Sequence, residues 1–231
     1  MKTYLVGGSL PEKYKETLER FGRVVVLPPS DAVAPPTGTH PDTLIGTVGG
    51  ELFVPKNEAA VSRALTDEGI AHTVSVRESG EKYPDDCAVN FFTVSKFFVA
   101  KTDTVAPEAL ISAARAGYEI VDVRQGYAHC ATAVIGGGAI TADDGIYRAL
   151  TSRGVPTLLI EAGNIDLPPY EYGFIGGASG MIDDGTALFF GSLDDHPSGR
   201  EIRAFCASCG VEIVEGDGKL CDAGGFIALD T

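Results

Sequence analysis

The chain has 231 residues, of which 44% are hydrophobic, and this is enough to bury a sizeable core. The formal net charge of −14 disfavours nucleic acid and anionic membranes as partners, because binding to them depends on Lys and Arg neutralising phosphates. The sequence has no hydrophobic run of membrane-spanning length, no signal-peptide pattern and only five cysteines, so we expect a reduced, cytoplasmic protein.

The N-terminal region predicts a strand at 3–8, a helix at 11–22 and a second strand at 23–29. A segment rich in Pro and small polar residues, 28–39, then reads as a long loop. A similar segment occurs at 163–173, and both are candidates to overhang one end of the molecule.

One pattern then repeats four times: strand, tight turn, strand, helix, strand. In the first cycle it reads TLIGTV, GG, ELFVPK, NEAAVSRALTDEG and HTVSV. A glycine follows the last turn of each predicted helix, as is typical of helix C-termini. The unpaired C-terminal strand GGFIALDT completes the N-terminal unit. We therefore expect one domain, 1–231, with these five repeats: 1–39 plus 219–231, 40–78, 84–124, 126–165 and 173–216.

Five ββαβ units closed by the N- and C-terminal strands predict an α/β propeller with pseudo-fivefold symmetry. This repeat order resembles the guanidino-group-modifying superfamily, the penteins, which includes arginine and agmatine deiminases, amidinotransferases and dimethylarginine dimethylaminohydrolase. The motifs HPDTLIG, YPDDCAVN, QGYAHC, TADDGIY, EYGFIGGASG and GKLCDAGG resemble a bacterial family assigned to that fold. The resemblance implies a site at one mouth of the propeller, with a cysteine from the last unit and a histidine from the middle unit.

Carried over to this chain, the resemblance makes His129 the histidine, because HCATAV followed by a glycine turn is similar to the dimethylarginine hydrolase motif. Cys221 stands near the position of the nucleophile. The register there leaves two alternatives open, and in one of them Asp222 occupies the cysteine position.

Carboxylates are expected to hold the guanidinium group, since a planar cation suits bidentate carboxylates. The candidates are Asp42 in HPDTL, together with Asp85 and Asp86 in YPDDC. Asn90, four residues after Asp86, is expected to share a strand face with it and to contribute an amide hydrogen bond. His40 is a further candidate substrate-binding residue.

Several other residues have less specific interpretations. Cys130 is interpreted as a small buried residue, because neighbours on a strand face opposite sides and so His129 and Cys130 do not aim at one point. Cys206 and Cys209 form a CxxC pair at the end of a predicted helix, without a second pair at zinc-site spacing. We predict neither a metal nor a cofactor.

Two functional hypotheses follow. In the first, the protein is a hydrolase or an amidinotransferase-like enzyme that acts on a guanidino or amidine compound through a covalent thiouronium intermediate, with Cys221 attacking and His129 moving protons. In the second, it is a catalytically inactive pentein that binds a small cationic metabolite or a protein partner. The oligomeric state stays open.

Overall fold

Five three-stranded sheets and six α-helices form the part of the chain that the computed structural model describes, residues 2–230. The strands are β1 (Lys2–Gly7), β2 (Gly22–Leu27), β3 (Gly46–Val48), β4 (Glu51–Val54), β5 (Thr73–Val74), β6 (Phe92–Val94), β7 (Phe97–Ala100), β8 (Glu119–Asp122), β9 (Thr132–Ile135), β10 (Gly138–Thr141), β11 (Thr157–Leu159), β12 (Ser179–Asp183), β13 (Thr186–Phe189), β14 (Glu212–Glu215) and β15 (Phe226–Asp230). The helices are α1 (Glu12–Glu19), α2 (Pro41–Leu44), α3 (Ala59–Asp67), α4 (Pro107–Arg115), α5 (Asp144–Thr151) and α6 (Gly199–Ser208). No helix in this range is long and apolar enough to cross a membrane.

Every sheet is built in the same way, from an inner, a middle and an outer strand. In the third unit, β9 and β10 form an antiparallel pair joined by a glycine turn, and β10 then pairs in parallel with β11. Parallel neighbours need a crossover connection, which α5 supplies. Asp143 caps the N-terminus of α5, because its side chain accepts a hydrogen bond from the backbone N–H of Ile146.

The two ends of the chain meet in one sheet. β15 pairs with β1 in antiparallel register, with Leu5 opposite Ile227, and β1 pairs in parallel with β2. Each of the inner strands β3, β6, β9 and β12 contacts the next one in the series that ends at β15, and β15 contacts α2, directly before β3, so the series returns to its start around a common axis. The predicted five-unit α/β propeller, closed by the N- and C-terminal strands, is therefore confirmed.

The inner strands begin later than the sequence predicts. β3 begins at Gly46 after the short helix α2, β6 begins at Phe92, and β9 begins at Thr132. The residues before each inner strand fold into tight turns whose backbone N–H and C=O groups hydrogen-bond within the turn. The N–H of Thr132, for example, donates to the carbonyl oxygen of His129. The predicted site residues therefore lie in turns, and strand alternation does not decide where His129, Cys130 or Asn90 point.

These turns lie at one end of the inner strands, which we call the mouth of the propeller. The segment 163–173 is attached there, because the N–H of Asp166 donates to the carbonyl oxygen of Leu220 and the N–H of Asp222 donates to that of Asp166. Phe174, directly after this segment, also donates its N–H to the Asp222 carboxylate. The C-terminal turn and this segment thus form one structural unit at the mouth.

Candidate functional site

Four turns at the mouth bring five polar side chains together inside the protein. We call His40, Asp42, Asn90, Cys130 and Asp222 the mouth cluster; each is at most 8% exposed to solvent. They come from the turns before β3, β6, β9 and β15, so the cluster exists only when four units of the propeller are assembled. Such a set of buried polar groups is costly unless the groups are paired with each other or with a ligand.

Asn90 organises the cluster through its side-chain amide. Its Nδ2 donates to the carbonyl oxygen of Asp42 at 2.9 Å and to the Sγ of Cys130 at 2.9 Å. Its Oδ1 accepts hydrogen bonds from the backbone N–H of His129 at 2.8 Å and from that of Cys130 at 3.3 Å. One amide thereby ties together the mouth turns of the first, second and third full repeats.

Asp42 is the least satisfied group of the cluster. Both of its carboxylate oxygens are buried, and neither makes a well-formed hydrogen bond with any described residue, although the Cys130 thiol lies beside them. Burial, and then the nearby charge of Asp222, raise the pKa of Asp42 well above its ordinary value. The same burial, together with the two carboxylates, raises the pKa of the Cys130 thiol.

Asp222 is better supported than Asp42. Its carboxylate accepts hydrogen bonds from the N–H of Phe174 at 2.8 Å and from that of Gly224 at 3.0 Å. The Nδ1 of His40 lies 3.5 Å from the same carboxylate. Burial raises the pKa of Asp222 and lowers the pKa of His40, while the attraction between the two groups opposes both shifts.

Gly224 allows His40 to lie close to the turn that carries Asp222. It has a φ of +76°, and a Cβ at its position would lie 2.3 Å from the Cβ of His40. We expect Gly224→Ala to lower the free energy of unfolding by about 2–3 kcal/mol through strain and overpacking. Gly218→Ala is the control, since Gly218 has a similar φ of +79° but faces open space, and should cost about 1 kcal/mol. Urea denaturation of both variants measures the difference, and equal losses would contradict a close approach to His40.

His129 lines a different space, a cavity of about 240 Å³ between the inner strands. Its Nδ1 is buried without a protein partner among the described residues, and burial lowers its pKa to about 4. The imidazole is therefore neutral at physiological pH. Thr47, Thr132 and Ser179 line the same cavity.

The structure does not bring Cys221 to His129. The Cys221 side chain is half-buried and packs against the hydrophobic cluster that contains Tyr14 and Phe190, with Lys13 among its charged neighbours. The sequence left open whether Cys221 or Asp222 occupies the position of the nucleophile. In the structure, Asp222 is the one that lies beside His40 and Asp42.

The two aspartates of YPDDC have different environments. Asp85 is exposed in the turn at 85–87. Asp86 is buried and accepts a hydrogen bond from the hydroxyl of Tyr127, whose pKa is raised first by burial and then by this bond. Asp86 is thus already paired, and Asn90, which the sequence assigned to its strand face, instead contacts Asp42, His129 and Cys130.

Sequence reasoning missed two members of the site. Cys130 is buried as expected, but it lies among carboxylates instead of apolar groups, because the turn before β9 points its thiol toward Asn90 and Asp42. Thr132, the first residue of β9, has a buried hydroxyl oxygen without a partner among the described residues. The only signal for either was their closeness to His129 in HCATAV.

Comparison with known proteins places the chain in a family. Residues 5–227 match the model of a family of unknown function, DUF6873. The chain belongs to this family. No curated protein matches the sequence.

Solved structures share the fold of this DUF6873 member. An amidinotransferase of saxitoxin biosynthesis from Microseira wollei, SxtG, is 12% identical, with a TM-score of 0.58 over 93% of this chain and 88% of that one. The apo arginine dihydrolase ArgZ of the cyanobacterial ornithine–ammonia cycle is 10% identical, with a TM-score of 0.57 over 94% of this chain and 36% of that one. These two likenesses confirm the predicted fold of five repeated α/β units.

Proposed function

We propose that the mouth cluster binds the planar cation of a guanidino or amidine compound and modifies it. The observation that carries this proposal is the buried carboxylate of Asp42, both of whose oxygens lack a hydrogen-bond partner among the described residues. A buried carboxylate in this state is stabilised either by taking up a proton or by binding a cation. A guanidinium group presents parallel N–H donors that match the two oxygens of one carboxylate.

Asp222 supports the choice of a cation as the ligand. Its charge and that of Asp42 repel each other, which is one reason why the pKa of Asp42 is raised. A cation held between them removes this repulsion, so its binding is coupled to the ionisation of both groups. The names of the two structural neighbours, an amidinotransferase and an arginine dihydrolase, agree with a guanidino compound as the ligand.

Cys130 is the thiol best placed to react with such a ligand, because it lies beside Asp42 and accepts a hydrogen bond from Asn90. Without a ligand, burial and the carboxylates favour the protonated thiol, whereas a bound cation offsets their charges and favours the thiolate. The thiol would pass its proton to the carboxylate of Asp42 beside it as the sulfur bonds to the central carbon, and that proton would go to the nitrogen as the C–N bond breaks and the nitrogen leaves. Water would release the product by forming a C–O bond as the C–S bond breaks, and one proton of that water would return to the sulfur.

Alkylation with 2-chloroacetamidine, an amidine that carries a leaving group, tests which thiol reacts. We expect wild-type protein and Cys221→Ser to be labelled once, as measured by intact mass and peptide mapping, and Cys130→Ser to lose at least about 90% of the labelling because the reactive thiolate is gone. Excess arginine or agmatine should protect Cys130.

The reverse pattern, with labelling lost only in Cys221→Ser, would contradict the assignment to Cys130. It would instead support the sequence-based prediction that Cys221 is the nucleophile, with His129 moving protons. If neither thiol is labelled, the thiol mechanism fails altogether.

A second candidate function is cation binding without turnover. It is favoured by Asp222, because a carboxylate instead of a thiol stands beside His40 and Asp42 in the last unit. In that case guanidino compounds should raise the melting temperature of the protein by mass action, while neither product nor labelled cysteine forms.

A further inference from the structure

Three aromatic rings form a row beside the mouth cluster. The ring centroids of Tyr83 and Tyr127 lie 5.6 Å apart, and those of Tyr127 and Phe174 lie 6.1 Å apart. Neighbouring aromatic side chains pack against each other at such separations. We call these three residues the aromatic row. Tyr83 precedes β6, Tyr127 precedes β9 and Phe174 precedes β12, so the row is assembled from three units of the propeller.

The aromatic row extends from solvent to the mouth cluster. Tyr83, at the outer end, is 50% exposed, and Tyr127 and Phe174 are partly exposed. At the inner end, the backbone N–H of Phe174 donates to the carboxylate of Asp222 at 2.8 Å. The pKa of Tyr127 is raised mainly by burial and further by the charge of Cys130, so these two side chains are near each other. A cation held by the mouth cluster would therefore have the aromatic row beside the atoms attached to it.

Asp86 increases the attraction of this row for cations. The Tyr127 hydroxyl donates a hydrogen bond to the buried carboxylate of Asp86. The face of an aromatic ring carries negative potential and attracts cations, and an aromatic side chain also packs well against apolar ligand atoms. The negative charge of Asp86 adds to the potential at the ring of Tyr127. The row is therefore suited to a guanidinium group that has an apolar chain or ring attached to it.

Carboxylates surround the inner part of this surface. Asp42 and Asp222 lie near the Cys130 thiol, and Asp86 lies against Tyr127. A carboxylate at the far end of a ligand would be repelled by these charges, because like charges brought together at a binding site are strongly unfavourable.

Lysines on the outer side of the mouth are paired or solvated. Lys101 pairs with Asp103, and Lys219 pairs with Asp166. Lys82 is exposed, so water and salt screen its charge. A ligand carboxylate would therefore have to displace an aspartate from a lysine or give up much of its own hydration.

We propose that the aromatic row selects guanidino and amidine compounds whose substituent is an alkyl or aryl group, and that the surrounding carboxylates disfavour substituents that end in a carboxylate. This inference rests on the proposed function, because the cation has to pair with the mouth cluster. Tyr127 is then a specificity-determining residue whose ring contacts the substituent. Agmatine, which lacks the carboxylate of arginine, should accordingly bind more tightly than arginine.

Two ligands of equal length test the effect of a carboxylate. Butylguanidine and 4-guanidinobutanoate each attach four carbon atoms to the guanidino group, and the second ends in a carboxylate where the first ends in a methyl group. We expect wild-type protein to bind 4-guanidinobutanoate at least about tenfold more weakly, because its carboxylate is repelled and loses hydration. Isothermal titration calorimetry measures both dissociation constants. Equal affinities would overturn the role assigned to the carboxylates.

Benzylguanidine and methylguanidine test the aromatic row. Wild type should bind benzylguanidine about tenfold more tightly, because its ring packs against the row. Tyr127→Leu should lose most of this preference, whereas Tyr127→Phe should keep it. Both variants lose the hydrogen bond to Asp86, so only the loss of the ring distinguishes them. The ratio of the two affinities within one variant also cancels any general damage to the mouth cluster.

Two further variants complete the comparison. Should Tyr127→Leu fail to fold, Tyr83→Leu, at an exposed position of the same row, should reduce the preference by a smaller factor in the same direction. Phe21→Leu is the control, because Phe21 is also exposed but directly precedes Gly22, which pairs with Lys2 at the end of β1 remote from the mouth. Phe21→Leu should leave the ratio of the two affinities unchanged.

The outcomes separate the role of the aromatic row from the proposed function. If benzylguanidine and methylguanidine bind equally well to wild type, or if Tyr127→Leu keeps the preference, the aromatic row does not determine specificity, while the proposed function stands. If wild type binds none of the four compounds, the proposed function is refuted and the role of the aromatic row with it.

Discussion

Replacing Asp42 with Asn is expected to weaken the binding of guanidino and amidine compounds at least about 100-fold, since removing one partner of a buried charge pair typically costs 2–5 kcal/mol. Asn keeps the size of the side chain but lacks the charge that the cation pairs with. Isothermal titration calorimetry of wild type and Asp42→Asn with arginine, agmatine and methylarginines measures the loss. Asp85→Asn is the matched control, because Asp85 is exposed in the neighbouring turn and its charge should contribute little. Equal losses in both variants would contradict a specific role for Asp42.

The same substitution should change how stability depends on pH. The pKa of Asp42 is raised in the folded protein, so its contribution to stability is full below the ordinary value of 3.8 and is lost as the pH rises through the folded-state pKa. The free energy of unfolding of wild type relative to Asp42→Asn should therefore fall from acidic toward neutral pH. Comparison with the variant separates this effect from that of the buried histidines, whose lowered pKa values act in the opposite direction. A constant difference between the two proteins would show that Asp42 titrates normally.

Replacing Asn90 with Ala is expected to lower the free energy of unfolding by about 3–5 kcal/mol, because a fully buried amide with four partners is removed. The N–H groups of His129 and Cys130 would lose their acceptor, and the carbonyl oxygen of Asp42 would lose a donor. Urea denaturation measures the effect.

Asn57→Ala is the comparison for Asn90→Ala. The side chain of Asn57 makes two hydrogen bonds, both to the backbone of Ser79, and it bridges an exposed loop. Its replacement by Ala should therefore lower the free energy of unfolding by only about 1 kcal/mol. If Asn90→Ala is no more destabilising than Asn57→Ala, the amide does not hold the mouth turns together.

The fold could be predicted from sequence because its information is local and repeated. Each unit has its own hairpin turn, its helix and a glycine after that helix, and both ends of the chain have the pattern of half a unit. Closure then follows, since within residues 2–230 the sheet partner of β15 is β1.

The mouth cluster could be predicted only in part. Asp42, Asn90, His40 and Asp222 were found through a resemblance, which assigns positions but not orientations. The sequence placed Cys130 on a strand facing away from His129, whereas the residue lies in a turn whose geometry is set by Asn90, 40 residues earlier in the chain. Contacts between turns of different units depend on propeller closure, and no local pattern encodes them.

Proton release on ligand binding tests the account most directly. If Asp42 is protonated in the free protein and pairs with the cation in the complex, binding must release a proton, in an amount set by how far the raised pKa lies above the working pH. Calorimetry of arginine or agmatine binding in buffers of different ionisation enthalpy counts these protons. We predict a measurable release at acidic pH that declines as the pH rises through the raised pKa of Asp42 and is absent in Asp42→Asn. Binding without any proton release at any pH between 5 and 8, or no binding of any guanidino or amidine compound, would contradict the account.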